Sequence, residues 1–287
     1  MSIKPVKKYS WLGEVWRRLC KNKLAIVGMC IVIALVVVAV FADIIAPYDY
    51  AGMDVKNRLL YPQPGHWLGT DDMGRDILSR IIYGGRVSLL LSLTSLLMSL
   101  AVGGALGCIA GFFGGITDSI IMRFVDILMS IPALLLAVSV ATVMGGGMMS
   151  TAVAISVSGI APSVRILRST IMKIRENEFV EAARATGSGS LRIIVVHILP
   201  NSLAPIIVDA SLRIGGSIMV ISMLSFIGLG VSPPMAEWGS MLNQGLGYIR
   251  DFWPLVTFPG VAIMLALFGF NVFGDGLRDA LDPRLKQ

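Results

Sequence analysis

Two pairs of opposite charge sit in apolar stretches of this chain at helical spacing. Asp209 and Arg213 lie four residues apart, and Arg123 and Asp126 lie three apart. Either spacing puts the partners on one helix face, where they can neutralise each other. Charges inside a span serve as an ion pair, or in gating and substrate passage. Both pairs lie near the end of their apolar run, where long side chains reach the headgroups, and that favours the ion pair. His66 and His197 have no carboxylate or cysteine at ligand spacing, so no metal site is expected, nickel included. Cys20, Cys30 and Cys108 are odd in number and widely spaced, which gives no disulfide framework. Neither paired catalytic carboxylates nor a nucleophile elbow can be found. No lysine follows a glycine, so the phosphate-cradling GxxxxGK[ST] loop cannot occur. The chain is not expected to be an enzyme on its own, and it implies no cofactor of its own.

The most specific spacing lies in the segment Phe179 to Asn201, FVEAARATGSGSLRIIVVHILPN. Glu178 to Thr186 is rich in Ala, Glu and Arg and predicts a short helix. Gly187 is placed to end it in the left-handed cap conformation. A second short helix is expected from Gly189 or Ser190, with Pro200 opening the next apolar run. Small Ala182 and Ala183 beside Glu181 would let a large partner approach closely. The plain alternative is a solvated loop with one helical turn, which composition alone would favour.

The elements that carry these residues are set by lipid. The 287 residues are 55% hydrophobic and only 15% charged, with a mean hydropathy of +0.78. A soluble domain carries nearer 25% charge. The net charge of +6 comes from the amino-terminal tail, with seven basic residues before Leu24 against Glu14 alone. A basic cluster abutting an apolar run reads as a cytoplasmic anchor rather than a nucleic-acid surface. Trp11, Val15, Trp16 and Leu19 recur at helical spacing and predict an amphipathic interfacial helix. Leu24 to Ala42 is charge-free and long enough to span ~30 Å of hydrocarbon. It is too long, and too far from the amino terminus, for a signal core. Further runs at 88–112, 120–144, 148–162, 203–228 and 252–274 make six predicted spans.

An even number of spans puts both termini on one side. The 162–202 connection, with six Lys/Arg against three Glu, then faces the cytoplasm. So do Arg278, Arg284 and Lys286 in the tail. The 43–86 segment, with six Asp against five basic residues, then faces outward. It is expected to be loop in its first half, with a short helix over Asp76 to Tyr83. The chain therefore divides into a basic amphipathic segment, 1–23, and a membrane domain, 24–287. The membrane domain holds an external loop at 43–86 and a cytoplasmic loop at 165–200.

Glu181-Ala182-Ala183, Gly187 and Leu199-Pro200 stand at the spacing of the EAA loop, so the chain resembles the transmembrane subunits of bacterial ABC importers. The ending His197-Ile198-Leu199-Pro200-Asn201 is similar to the dipeptide, oligopeptide and nickel subfamily. Four more segments resemble the same subfamily in the same order. They are HWLGTDDMGRDILSRIIYGGRVSL (66–89), MRFVDILMSIP (122–132), LSFIGLGVSPPMAEWGSML (224–242) and FNVFGDGLRDALDPRL (270–285).

The resemblance implies an all-α permease with six spans, set in the inner membrane of a bacterium or archaeon. It would pair with a second related permease subunit, two ATPase subunits and an extracytoplasmic binding protein. ATP and Mg would belong to those partners. Phe179, Glu181, Ala182, Ala183, Arg184, Gly187, Leu199 and Pro200 would form the ATPase-coupling element. Short peptides are the expected cargo, with nickel or a nickel chelate as the alternative. Two other classes remain open on the residues alone. Asp209 could serve an ion-coupled secondary transporter, although no inverted repeat is visible. Gly145 to Gly147 could serve a channel filter, although they read equally well as a tight turn.

Overall fold

The computed structural model describes residues 11–281, and every regular element among them is helical. An interfacial helix α1 (Trp11–Leu19) leads into α2 (Lys23–Val40), whose first turn is capped by the Asn22 side chain accepting from the N–H groups of Leu24 and Ala25. A short α3 (Ala42–Ile45) and a folded segment follow, then α4 (Ile77–Phe113), α5 (Gly115–Ser130), α6 (Ala133–Val143) and α7 (Met148–Ile174). The small helix α8 (Glu178–Ala185) precedes α9 (Ser190–Arg192), which continues through a π-helical turn (Ile193–Ile198) into α10 (Leu199–Phe226). The chain ends with α11 (Trp238–Gly245) and α12 (Pro254–Leu281). The side chain of Trp11, together with Lys4, Lys7, Lys8, Arg284 and Lys286, lies outside the described residues.

Among the described residues five helices are long and apolar enough to cross a membrane singly, and α5 and α6, bent by 88° between them, are so together. The pair starts beside α7 where Asp118 meets Arg168. It ends where Gly147 N–H bonds the carbonyl of Gly230. Those contacts lie at opposite ends of the bundle, so the pair traverses it. The predicted third span is therefore a broken one. Pro132 lacks the N–H to continue a helix and disfavours helical geometry at Ile131, where the chain is extended.

Three other boundaries differ from expectation. Asp76 to Tyr83 is not a separate helix but the start of α4, a rod of about 55 Å. Gly84 and Gly85 fall inside that rod. A Cβ on either would come within 3.0 Å of the Trp238 indole, so they are contact points for that ring. The fourth predicted span, now α7, does not stop at Pro162 but runs on to Ile174. Pro200 stands in the first turn of α10, as expected, but the chain is already helical ahead of it from Ser190.

Helices α4 and α7 lie parallel and very close. A Cβ on Gly103 would sit 2.6 Å from Ser163 Cβ, on Gly107 2.8 Å from the Val164 carbonyl oxygen, and on Gly111 2.9 Å from that of Arg168. The small-residue spacing of α4 is thus the seat of α7. α10 runs antiparallel to both, and α12 antiparallel to α10 through Gly274 against Leu212. α2 packs on α12 through Gly28 against the Phe273 backbone. Leu19, Ala25 and Ala280 form a small buried cluster, which seats α1 on the end of α12. Both ends of the described chain therefore share one end of the bundle with α8.

Replacing Gly107 by Ala should force α4 and α7 apart and cost about 1–3 kcal/mol. Gly216 serves as the control, because nothing lies within 4 Å of the point a methyl group there would occupy. Thermal unfolding of detergent-purified protein should show a lowered midpoint for Gly107→Ala and none for Gly216→Ala.

Candidate functional site

Helix α8 is closed at its C-terminus by two backbone bonds, Ser188 N–H to the Ala183 carbonyl (3.1 Å) and Gly187 N–H to that of Arg184 (2.9 Å). This closure needs a left-handed residue, and Gly187 supplies it at φ +79°. No other atom lies within 4 Å of where its Cβ would be, so Gly187 is required by backbone conformation and not by crowding.

One face of α8 is buried and the other is free. Val180 and Ala183 pack with Ile193, Ile194 and Ile198 of the following turn, Leu167 and Ile171 of α7, and Cys108 and Phe112 of α4. Phe179, Glu181 and Ala182 face outward. Ala183 is therefore part of the chain's own core, unlike the expectation that it would face a partner. Arg184 lays its guanidinium 5.3 Å from the centre of the Phe112 ring. Leu199 is half-buried against the same cluster and Pro200 is exposed.

Beside α8, Phe112, Phe113, Arg175, Glu176 and Arg184 line a cleft of about 590 Å³. Arg175 donates to the carbonyls of Gly111 (3.0 Å) and Phe112 (3.1 Å), closing the last turn of α4. Together with the Arg168–Asp118 ion pair, this fixes the ends of α4, α5 and α7 as one block beneath α8.

The two intramembrane pairs behave differently. Asp209 and Arg213 do pair, at 3.5 Å. Asp209 lies about 15 Å along the helix from Leu199. Arg213 is also a junction, because its guanidinium donates to Ser163 Oγ and the Gly159 carbonyl (2.9 Å) of α7 and to Ser99 Oγ (3.0 Å) of α4. Arg123 and Asp126 are not partners. Asp126 pairs with Arg165 of α7 at 2.8 Å, because α5 presents it to that helix.

A buried polar cluster at the opposite end escaped the sequence reading. Asp71 accepts from Arg75 Nε (2.6 Å) and the N–H groups of Met73 and Arg75. Arg80 approaches Asp71 at 3.5 Å, and both arginines reach Gln244. Asp71, Arg75 and Arg80 are each at most 3% exposed. Asp76 caps α4 at Ser79, and contrary to expectation it is a carboxylate partner for His66, at 3.0 Å. Glu237, fully buried, caps α11 by accepting from Ser240 N–H (2.9 Å). The i,i+4 spacing of Asp71 and Arg75 was the available signal. Among the described residues no group of three or more His, Cys, Asp or Glu could hold a metal ion.

A bundle of long apolar helices, one of them broken, with a short capped helix at one end, is built to sit in a membrane. The chain belongs to the family described as binding-protein-dependent transport system inner membrane components, whose model matches residues 103–287. Residues 10–62 match the N-terminal TM domain of oligopeptide transport permease C. The chain is 44% identical over 273 residues to the dipeptide transport system permease protein DppC of Alkalihalophilus pseudofirmus, covering 95% of this chain and 90% of that one. It is 42% identical to the di/tripeptide permease DppC of Pseudomonas aeruginosa (96% and 93% covered). It is 41% identical to the glutathione permease GsiD of Pectobacterium atrosepticum (95% and 91% covered). Its fold resembles that of the MetNI methionine ABC transporter in inward-facing form, with a TM-score of 0.57 at 19% identity, over 71% of this chain and 96% of that one.

Asp71→Asn should leave the buried Arg75 and Arg80 without their main counter-charge, with only the longer 3.9 Å approach of Asp72 to Arg75 remaining, at a cost of about 3 kcal/mol. The expected result is a large fall in thermal midpoint. A midpoint equal to that of the unaltered protein would remove the cluster as the anchor of the 58–76 segment.

Proposed function

We propose that this chain is the permease subunit of an ATP-driven importer of short peptides, with α8 as the helix that docks the ATPase. The observation that carries the reading is the two-faced α8. Its inner face is bolted to α4 and α7, while Phe179, Glu181 and Ala182 remain free for a partner. Peptide cargo is supported by the dipeptide, di/tripeptide and glutathione permeases among its relatives. A second permease, two ATPases carrying ATP and Mg, and an extracytoplasmic binding protein would complete the system.

In this reading the α8 end faces the cytoplasm. Arg17, Arg18, Lys21, Lys173, Arg175, Arg184, Arg192 and Arg278 gather there, against Lys56, Arg58, Arg75, Arg80, Arg86 and Arg250 at the other end, where Arg75 and Arg80 are buried and paired. That asymmetry obeys the positive-inside rule. Closure of the ATPase pair would press on Glu181 and its neighbours. The load would pass through Val180 and Ala183 into α4 and α7, and through the unbroken Ser190–Phe226 helix into the middle of the bundle.

Cysteines placed singly at Ser188, Met53 and Met149 test the orientation by labelling intact cells with an impermeant thiol reagent. Met53 and Met149 should label and Ser188 should label only after permeabilisation. Labelling of Ser188 from outside would reverse the topology.

Coupling is tested by Glu181→Lys and Gly187→Val. The first reverses a charge on the free face, and the second strains a left-handed backbone by roughly 1–2 kcal/mol. Neither disturbs the bundle core. Normal membrane levels with weakened ATPase copurification and lost peptide uptake are expected. Full uptake by both variants would show that α8 is a solvated loop element.

A further inference from the structure

A second cleft, of about 700 Å³, opens at the α8 end between α7, α10 and α12. This is within the roughly 300–1,000 Å³ typical of small-molecule sites. Its walls carry Asp209, Arg278, Ser169 and Asn201, with Ile166 and Leu281 among the apolar residues. Asp209 has an 18% exposed side chain, and its ion pair is the long 3.5 Å approach of Arg213. Arg213 spends its other donors on Ser163, Ser99 and Gly159, none of which lines the cleft. A carboxylate offers about four acceptor positions, so most of the capacity of Asp209 is uncommitted. Leaving a half-buried carboxylate so weakly matched is costly unless something else supplies donors. Arg278 is exposed on the last turns of α12, with no ion pair to a described residue.

One cleft thus holds a half-buried, under-used anion and an exposed cation that is unpaired among the described residues. A hydroxyl and an amide line it, and its walls are partly apolar. From this we infer that it is a binding site for a small zwitterionic group, with the ammonium at Asp209 and the carboxylate or phosphate at Arg278. A free dipeptide and a phosphatidylethanolamine headgroup share that chemistry. The inference rests on the cleft alone and stands whether or not the chain imports peptides.

The test uses the assembled transporter in nanodiscs, with Cys20, Cys30 and Cys108 replaced and Ser169→Cys as reporter. The rate at which a methanethiosulfonate reagent modifies the reporter thiol is measured against glycylglycine in phosphatidylglycerol discs, and against rising phosphatidylethanolamine content without peptide. Saturable protection by glycylglycine identifies a free zwitterion, and protection only by phosphatidylethanolamine identifies the headgroup. In either case Asp209→Asn and Arg278→Gln should each raise the half-protecting amount about tenfold, the loss of one charge-assisted contact. Asp275→Asn, whose residue does not line the cleft, should leave it unchanged. Absence of protection by both probes, or protection unaltered in either cleft variant, overturns the proposal. Arg278 is exposed, so its variant tests the site even if Asp209→Asn misfolds.

Discussion

The arrangement depends on how closely α4 and α7 approach. With Gly103, Gly107 and Gly111 facing it, the α7 backbone comes near enough that a single methyl group at any of them would overlap it. Between membrane helices there is no apolar driving force of the kind that assembles a soluble core, so contact of this sort supplies much of the cohesion. Parallel helices at that distance also bring their ends together. Arg175 can then cap α4, and Arg168 can hold Asp118 at the start of α5.

Arg213 adds the third helix to that pair. A charge at mid-bundle is tolerated only when its donors are matched, and Ser99, Ser163 and the Gly159 carbonyl match them from two different helices. Gly159 matters for the same reason as the glycines of α4. A Cβ there would collide with the guanidinium, closing the route to the carbonyl. The ion pair with Asp209 is the weaker part of this junction. Arg213 is better described as a polar bolt through α4, α7 and α10 than as half of a salt bridge.

The sequence disclosed what depends on local rules and hid what depends on neighbours. Charge-free runs, the basic tail and the glycine at 187 follow from lipid thickness, charge asymmetry and backbone sterics, and each was legible. Which way a residue faces was not. Ala182 and Ala183 look alike in a motif, yet only the second is buried, because α8 rolls that side onto Ile193 and Ile198. Arg123 and Asp126 have good spacing for a pair, but Arg165 on another helix takes the carboxylate. Nothing near Gly84 and Gly85 in the sequence announces that Trp238, far along the chain, packs against them. The buried Asp71–Arg75–Arg80 cluster sat in a segment whose charges, read along the chain, look like those of any solvated loop.

These contacts determine where motion is possible. α8 cannot move alone, since its inner face shares a core with α4, α7 and the π-helical turn. A π turn carries an extra residue in the ladder and is a common place for a helix to adjust its register. It packs on the inner face of α8 and leads directly into α10, so α8 meets that helix at the part with the least regular bonding. The 88° break at Pro132 lies on the other side of the same block, with α5 tied to α7 and α6 seated against α7 and the 227–231 segment. The glycine seam holds α4 and α7 together as one block, and the irregular backbone lies outside it, at the break before Pro132 and at the π turn.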